Sequence, residues 1–148
     1  MDTLRIERCV RSIERISHKK YVIHGALRRR THLVPHKPSP TVNNKKLRKR
    51  GVYATSVAIV GILYATYRGD PIWKYARGKG FRLRVTGDGF NVSDGYIHIC
   101  ERRNFKGGKF VSYAKKSVRV LRSIRVRHGV LKYLLDKKHI RLVESFAG

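Results

Sequence analysis

The longest segment without a charge runs from Gly51 to Tyr67 and reads GVYATSVAIVGILYATY, in a chain where charges are frequent elsewhere. Residues 52–55 are largely β-branched and aromatic and predict a strand, whereas the apolar residues from 58 to 65 recur at helical spacing. The segment therefore predicts a buried strand that leads into a buried helix. A membrane span is the alternative, but seventeen residues that include serine and threonine fall short of the roughly twenty apolar residues that a span needs.

Apolar residues at intervals of three and four predict an amphipathic helix near the N-terminus, over residues 3–17. The apolar stripe of this helix consists of Ile6, Cys9, Val10, Ile13 and Ile16. We expect residues 1–18 to pack through this stripe on a single domain formed by residues 19–148. The alternative is that the arginine-rich outer face of the helix contacts phosphates.

Short segments of alternating polarity predict strands in the rest of the chain. The first covers residues 20–25 and ends in the pair His24-Gly25. Further strands are predicted at 81–85, 96–100, 109–113, 118–126 and 140–143, with glycine-rich turns at 87–89 and 107–108. Residues 130–135 predict one more helix. The predicted fold class is α+β, with helices set against antiparallel strands.

The charge balance is strongly basic, because 35 lysines and arginines stand against 9 aspartates and glutamates, a formal net charge of +26 in 148 residues. Such an excess works against a compact state through self-repulsion unless a polyanion is nearby. Nucleic acid, contacted through its phosphates, is the natural partner. An acidic membrane surface is the alternative, but the basic residues are spread along the whole chain rather than concentrated on one amphipathic helix.

Two basic clusters are candidate nucleic-acid contacts. The first cluster consists of Arg28, Arg29 and Arg30. The second consists of Lys45, Lys46, Arg48, Lys49 and Arg50. The alternative for the second cluster is a solvated loop. Trp73, Tyr75 and Phe81 are mixed with lysines and arginines, a pattern that could stack bases in a single-strand binder, or that could simply supply core aromatics.

The two cysteines, Cys9 and Cys100, lie far apart and have no partner at metal-ligand spacing, which predicts reduced structural thiols and no metal site. The N-terminus lacks the continuous apolar core of a signal peptide, and Glu7 and Glu14 count against an organelle transit peptide. These features favour a cytoplasmic, or at least intracellular, protein.

Three segments in this order resemble the ADP-ribosyltransferase fold of the poly(ADP-ribose) polymerase type. The first is the strand that ends in His24-Gly25. The second is Gly51-Val52-Tyr53-Ala54, which is similar to the family's Gly-Ile-Tyr-Phe strand, with Tyr64 at the same distance downstream as the family's helix tyrosine. The third is Phe110-Val111-Ser112-Tyr113, followed by Val118-Arg119-Val120, which resembles the family's Tyr-Val-Val-Tyr segment and the strand after it.

This resemblance spans most of residues 21–126 and implies that NAD lies in the cleft between the two halves of a split antiparallel sheet. It implies that His24 hydrogen-bonds the ribose next to the nicotinamide and that the Gly25 backbone holds the carboxamide. Tyr53 and Tyr64 would stack on the nicotinamide ring and exclude water from the bond to be broken. The alternatives are a hydrogen-bonded strand end for His24 and core positions for both tyrosines.

Position 109 departs from the family's pattern. In the family's polymerising members a glutamate stands directly before the Tyr-Val-Val-Tyr segment and stabilises the cationic ribose as nicotinamide leaves, whereas here that position is Lys109. A cation beside a developing oxocarbenium ion is electrostatically adverse, so we do not expect polymer formation. Asp94, Glu101 and Glu144 are the acids close enough in sequence to assist a single transfer.

Two functions from different classes therefore remain. The first is NAD-dependent mono-ADP-ribosyl transfer to nucleic acid or to a protein bound to it, with His24, Tyr64 and Lys109 at the catalytic positions. The second is a catalytically silent, basic nucleic-acid-binding protein or ribonucleoprotein component that keeps the fold. Transfer of a 2′-phosphate from RNA to NAD is a related alternative, but the sequence shows no clear second histidine and arginine for it.

Overall fold

The structure, a computed structural model, describes residues 3–16, 18–37, 49–69, 71–85 and 91–146. The helices in these residues are α1 (Thr3–Glu14), α2 (Ala58–Thr66) and α3 (Gly129–Asp136). The strands are β1 (Tyr21–Ala26), β2 (His32–Leu33), β3 (Val52–Ala54), β4 (Ile72–Ala76), β5 (Gly80–Arg84), β6 (Gly95–Glu101), β7 (Lys106–Gly107), β8 (Ser112–Ala114), β9 (Val118–Arg119), β10 (Arg122–Val126) and β11 (Ile140–Val143). The fold is α+β, which confirms the predicted class.

Two antiparallel sheets meet at strand β1. One sheet has the order β1-β6-β10 and the other has the order β3-β8-β7. They are joined where Ile23 and Thr55 exchange two backbone hydrogen bonds of 2.8 Å each. A third three-stranded sheet, β4-β5-β11, and the pair β2-β9 complete the described strands.

Helix α2 packs on the β1-β6-β10 sheet through unusually close backbone approaches. A Cβ atom added to Gly25 would lie 2.1 Å from the Gly61 carbonyl oxygen, and one added to Gly95 would lie 1.6 Å from the Ala65 carbonyl oxygen. Both distances are too short for any side chain, and the atoms they meet are backbone atoms that have little freedom to shift. The two glycines therefore set the position of α2 on the sheet.

The apolar stripe predicted for the N-terminal segment is found on α1. Ile6, Val10 and Ile13 are buried in the core cluster that also contains α2 and α3 residues, while Cys9 and Ile16 pack against it partly buried. The phenol of Tyr133 on α3 donates a 3.1 Å hydrogen bond to the Glu7 carboxylate of α1. The helix therefore covers apolar surface of α2 and α3, as expected from the spacing.

Three strand predictions differ from the structure. The segment 118–126 forms two strands in different sheets rather than one, because the chain bonds first to Thr31 through the N–H of Val120 and then to Ile99 through the N–H of Leu121. The strand predicted at 109–113 begins only at Ser112. The last strand, β11, pairs with β5 in parallel rather than antiparallel fashion. The predicted turn at 87–89 lies outside the described residues.

Candidate functional site

His24 lies on β1 and its side chain contacts the backbone of β3. The Nδ1 atom of His24 is 2.8 Å from the Tyr53 carbonyl oxygen. Because a carbonyl oxygen only accepts, Nδ1 carries the proton, and Nε2 is left as a hydrogen-bond acceptor in the neutral ring. Burial lowers the pKa of His24, although the bond to Tyr53 partly opposes this shift. The imidazole is therefore neutral, with a defined tautomer, near neutral pH.

The backbone of Gly25 faces the β3 side of β1 rather than β6. Backbone N–H and C=O groups of an antiparallel strand point to alternate edges with a period of two residues. Since both groups of Ile23 bond to Thr55 of the β3 sheet, both groups of Gly25 point to that same edge. A donor and an acceptor on one residue at one edge match the two polar groups of a primary amide.

Tyr53 extends from β3 into a small aromatic group. Its ring centroid lies 5.4 Å from that of Tyr113 and 6.2 Å from that of His36. The Tyr53 hydroxyl donates to the Lys49 carbonyl oxygen. Desolvation, with a smaller contribution from Tyr113, raises the pKa of Tyr53 above its ordinary value. The phenol is therefore neutral and held by the segment that precedes β3.

Tyr64 lies on the outer face of α2 and is 40% exposed. Its hydroxyl accepts a 3.3 Å hydrogen bond from Nε1 of Trp73 on β4. The ring centroid of Trp73 lies 6.2 Å from that of Phe110. Tyr64 is therefore a surface residue, not a core residue, and is linked through Trp73 to the residue after Lys109.

Lys109 contacts the start of α2 through its backbone. Its carbonyl oxygen accepts hydrogen bonds from the Ser56 N–H at 2.9 Å and from Thr55 Oγ1 at 3.4 Å. Its side chain is exposed, and Nζ lies 5.8 Å from the centroid of the Phe110 ring. The ammonium group is therefore free to reorient without disturbing the backbone contacts.

A cavity of about 410 Å³ lies beside Lys109, between α1, the start of α2, and α3. Its charged and polar lining includes Glu7 and Glu14 of α1 together with Lys109. His24, Tyr53 and Tyr64 do not line this cavity. The α1 glutamates lie about a hundred residues before position 109, so no pattern in the sequence connects them with it.

The five predicted site residues are linked in a series, partly by contacts and partly through neighbouring residues of the chain. His24 bonds to the Tyr53 backbone, and two residues after Tyr53 the chain bonds to Lys109. From Lys109 the series continues through Phe110 and Trp73 to Tyr64. It closes where the backbone of Tyr64 lies against Gly25, 3.0 Å from the position of an added Cβ. Residues predicted from three separate segments thus lie near one junction, that of β1, β3 and α2, with the His24 side chain on the face of β1 opposite α2, since Ile23 faces the helix.

Two of the acids considered for assistance are engaged in ion pairs. Asp94 contacts Arg125 at 3.2 Å and the His128 ring at 2.8 Å, and hydrogen bonds from His128 hold the pKa of Asp94 at about 2. Asp94 also precedes Gly95, which lies against the C-terminal end of α2, whereas Lys109 lies at the N-terminal end. Glu101 pairs with Arg103. The third acid, Glu144, is exposed after β11.

His98 is a buried histidine that the sequence analysis missed. It pairs directly with His24 across β1 and β6, with ring centroids 5.8 Å apart, and it is fully buried. Its Nε2 accepts a 3.0 Å hydrogen bond from the Arg30 N–H, while Nδ1 has no hydrogen-bond partner among the described residues. Burial, with smaller contributions from His24 and Arg30, lowers the pKa of His98 to about 4.

The predicted nucleic-acid contacts are exposed where the structure describes them. These residues are Arg28, Arg29, Arg30, Lys49 and Arg50, while Lys45, Lys46 and Arg48 lie outside the described residues. His36 and Gly51 exchange two backbone hydrogen bonds of 3.0 Å, which brings the chain after the first cluster beside the end of the second. The described end of the second cluster is held beside two tyrosines, because the hydroxyls of Tyr53 and Tyr113 donate to the carbonyl oxygens of Lys49 and Arg50.

Both cysteines are free thiols, and burial raises the pKa of Cys100 to about 12. Among the residues that the structure describes, no three His, Cys, Asp or Glu side chains are grouped as metal ligands would be. Within the same residues, every helix is too short or too polar to cross a bilayer.

In comparisons with known proteins, no family model, no curated protein and no solved structure matches this chain.

Proposed function

We propose that the protein binds NAD at the junction of β1, β3 and α2 and transfers ADP-ribose to nucleic acid or to a protein bound to it. The observation that carries this proposal is the series of contacts and neighbouring residues that joins His24, Gly25, Tyr53, Tyr64 and Lys109. These are the positions at which the resemblance to ADP-ribosyltransferases implies nicotinamide contacts. Their placement near one junction is expected of a ligand site and is not required of unrelated core residues.

The backbone of Gly25 would hold the nicotinamide carboxamide. Its N–H and C=O point to the β3 edge of β1, where an amide could donate to one group and accept from the other. His24, next to it, has its proton fixed on Nδ1 by the Tyr53 carbonyl oxygen. The remaining lone pair on Nε2 can accept a hydrogen bond from a ribose hydroxyl. Amide and sugar would thus be bound by adjacent residues.

Lys109 limits the chemistry that this site can perform. Cleavage of the nicotinamide–ribose bond places positive charge on the ribose, which a nearby ammonium group destabilises. The proposal is therefore a slow single transfer, not polymer synthesis. Glu7 and Glu14 line the cavity shared with Lys109, but Arg11 lines it too, so two carboxylates face two cations there.

The protein is expected to bind NAD with heat that is measurable by calorimetry, and His24→Ala is expected to weaken the affinity about tenfold or more. The variant loses one hydrogen bond to the ribose and also frees the Tyr53 carbonyl oxygen, and a net loss of about 1.4 kcal/mol corresponds to a tenfold change. The matched control is His32→Ala, an exposed histidine on β2. Absence of heat with NAD for the intact protein would contradict the proposal.

The second candidate function is nucleic-acid binding without catalysis, and the cation at position 109 is the observation that favours it. The exposed arginines 28–30 would contact phosphates in either case. A catalytically silent protein would bind nucleic acid but would leave NAD intact. Incubation with labelled NAD and nucleic acid distinguishes the two functions, because label on neither nucleic acid nor protein leaves only the silent protein.

Raising the salt concentration from 50 to 200 mM is expected to weaken nucleic-acid binding about fiftyfold. Each phosphate neutralised on a single strand contributes a slope of roughly −0.7 to the logarithmic salt dependence, and about four contacts give this change. Fluorescence anisotropy of a labelled oligonucleotide measures the slope. Replacing Arg28, Arg29 and Arg30 together with glutamine should reduce the steepness. An affinity that does not change with salt would contradict the phosphate contacts.

A further inference from the structure

Three aromatic rings of the β4–β5 hairpin and the ring of Phe110 form a continuous ledge. The aromatic ledge consists of Trp73, Tyr75, Phe81 and Phe110. Tyr75 pairs with Phe81 across the two strands, with ring centroids 4.8 Å apart, and lies 5.1 Å from Phe110. Trp73 is two residues before Tyr75 and therefore projects from the same face of β4. Its indole donates to Tyr64, so the aromatic ledge begins at the proposed NAD site.

The rings of the aromatic ledge differ in exposure. Phe81 is 7% exposed and belongs to the core, whereas Tyr75 is 47% exposed. Core packing accounts for Phe81 but does not account for the outer part of Tyr75. The ring of Tyr75 packs at a tilt against Phe81 and Phe110 and leaves about half of the residue exposed, which a stacked base could cover.

The charge of the β4–β5 hairpin has a single sign. Residues 71–85, which form the hairpin, contain five lysines and arginines and no aspartate or glutamate. Arg77 and Lys79 lie exposed in the turn after Tyr75, and Lys109 lies over Phe110 at 5.8 Å. The opposite face of the hairpin carries Lys74 and Arg82, which contact the Phe146 ring instead. Exposed cations therefore follow Tyr75 in the turn and lie over Phe110, and a phosphate backbone could contact them.

We propose that the aromatic ledge binds an unpaired base of a single-stranded nucleic acid. The base would stack on Tyr75, while Arg77, Lys79 and Lys109 contact the adjoining phosphates. A duplex fits poorly because its bases are already stacked on each other, and an acidic peptide has no flat ring for Tyr75. This inference rests on the proposed function and deepens it, because it names single-stranded nucleic acid as the acceptor of ADP-ribose.

Trp73, the only tryptophan of the chain, reports on binding through its fluorescence. The titrations use single-stranded oligo(dT) without NAD, and an abasic strand of equal length and charge as the matched ligand. We expect oligo(dT) to quench Trp73 and to bind more tightly than the abasic strand. Tyr75→Ala should weaken oligo(dT) binding at least about fivefold, because one stacked base is removed, and should leave abasic binding unchanged.

Two further variants separate stacking from simple apolar contact. Tyr75→Phe keeps the ring and should retain the affinity within about twofold, whereas Tyr75→Leu keeps apolar area without a ring and should lose as much as alanine. Leu121→Ala, at a position 44% exposed outside the ledge, is the control and should change nothing. Equal binding of oligo(dT) and the abasic strand, or a Tyr75→Leu protein that binds like the wild type, would overturn the proposal.

The same experiment keeps this inference distinct from NAD binding. Tyr75→Ala is expected to leave the heat of NAD binding unchanged, since Tyr75 is not among the nicotinamide contacts. Base-dependent binding in a protein that does not bind NAD would support the aromatic ledge and remove the transfer. NAD binding in a protein that does not distinguish oligo(dT) from the abasic strand would support the NAD site and remove the aromatic ledge.

Discussion

Replacing Lys109 with glutamate is expected to raise the rate of NAD cleavage at least about a hundredfold above that of the wild-type protein. A group that is aimed at charge developing in a transition state changes rates by about 10² to 10³, and this substitution exchanges an adverse charge for a favourable one. The measurement is the release of nicotinamide from NAD over time. The expected effect is on the rate and much less on the affinity, because the ribose becomes cationic only in the transition state.

The local structure should accept this substitution. Position 109 contacts the link between β3 and α2 through its carbonyl oxygen, which accepts hydrogen bonds from Ser56 and Thr55, and these bonds do not depend on the side chain. The side chain is exposed, so a carboxylate would be hydrated when no ligand is bound. The folded state is therefore expected to keep its stability, and thermal unfolding checks this.

Two matched variants isolate the carboxylate effect. Lys109→Gln removes the cation without adding an anion and should lie between wild type and Lys109→Glu in rate. Lys106→Glu makes the same charge change at an exposed residue on β7 and should leave the rate near the wild-type value. If Lys109→Glu binds NAD but cleaves it no faster than Lys109→Gln, position 109 is not directed at the ribose and the proposed placement of NAD is wrong.

The elements that the sequence predicted are those whose burial shows in the local pattern of apolar and charged residues. Helix α1 follows from the spacing of Ile6, Val10 and Ile13, because that stripe has a single apolar surface to cover. The strand and helix of the uncharged segment, β3 and α2, were predicted to be buried because the segment carries no charge, and most residues of α2 are indeed buried. Hydrophobic periodicity is local information, and these elements needed no other.

What the sequence could not predict depends on which strands pair. His98 was taken as one residue of an alternating strand, and its burial against His24 becomes visible only with the β1–β6 register. Residues 118–126 were predicted as a single strand, although their alternation breaks at Leu121 and Arg122, which is where the chain changes sheets. The cavity that brings Glu14 near Lys109 likewise depends on packing between distant segments.

The stability of the protein is expected to fall by about 3 kcal/mol between pH 7 and pH 4 through His98 alone. The pKa of His98 is lowered from 6.5 to about 4 in the folded state, so the unfolded chain binds more protons in this window. The stability that neutral His98 contributes is fully present above pH 6.5. It is lost progressively as the pH falls towards 4 and falls no further well below that value. Each unit of pKa difference corresponds to about 1.4 kcal/mol.

The loss arises because a charged imidazole would have to be buried beside other positive groups. His24 stacks on His98 and has a lowered pKa itself, the Arg30 backbone N–H points at Nε2, and the nearby Arg29 adds further positive charge. Among the described residues no carboxylate contributes to the shift of His98. Protonation of His98 would therefore be followed by opening of the β1–β6 pair, where the two histidines face each other.

Urea unfolding of wild type and His98→Gln, followed at pH 7 and pH 4, measures this contribution. Glutamine can accept the Arg30 N–H but does not titrate, so the variant should show a flatter dependence of unfolding free energy on pH. His32→Gln, at an exposed residue on β2, is the matched control and should follow the wild type. If His98→Gln loses as much stability as the wild type, protonation of another group causes the loss. Asp94 is not that group, because its pKa of about 2 keeps it charged throughout this window.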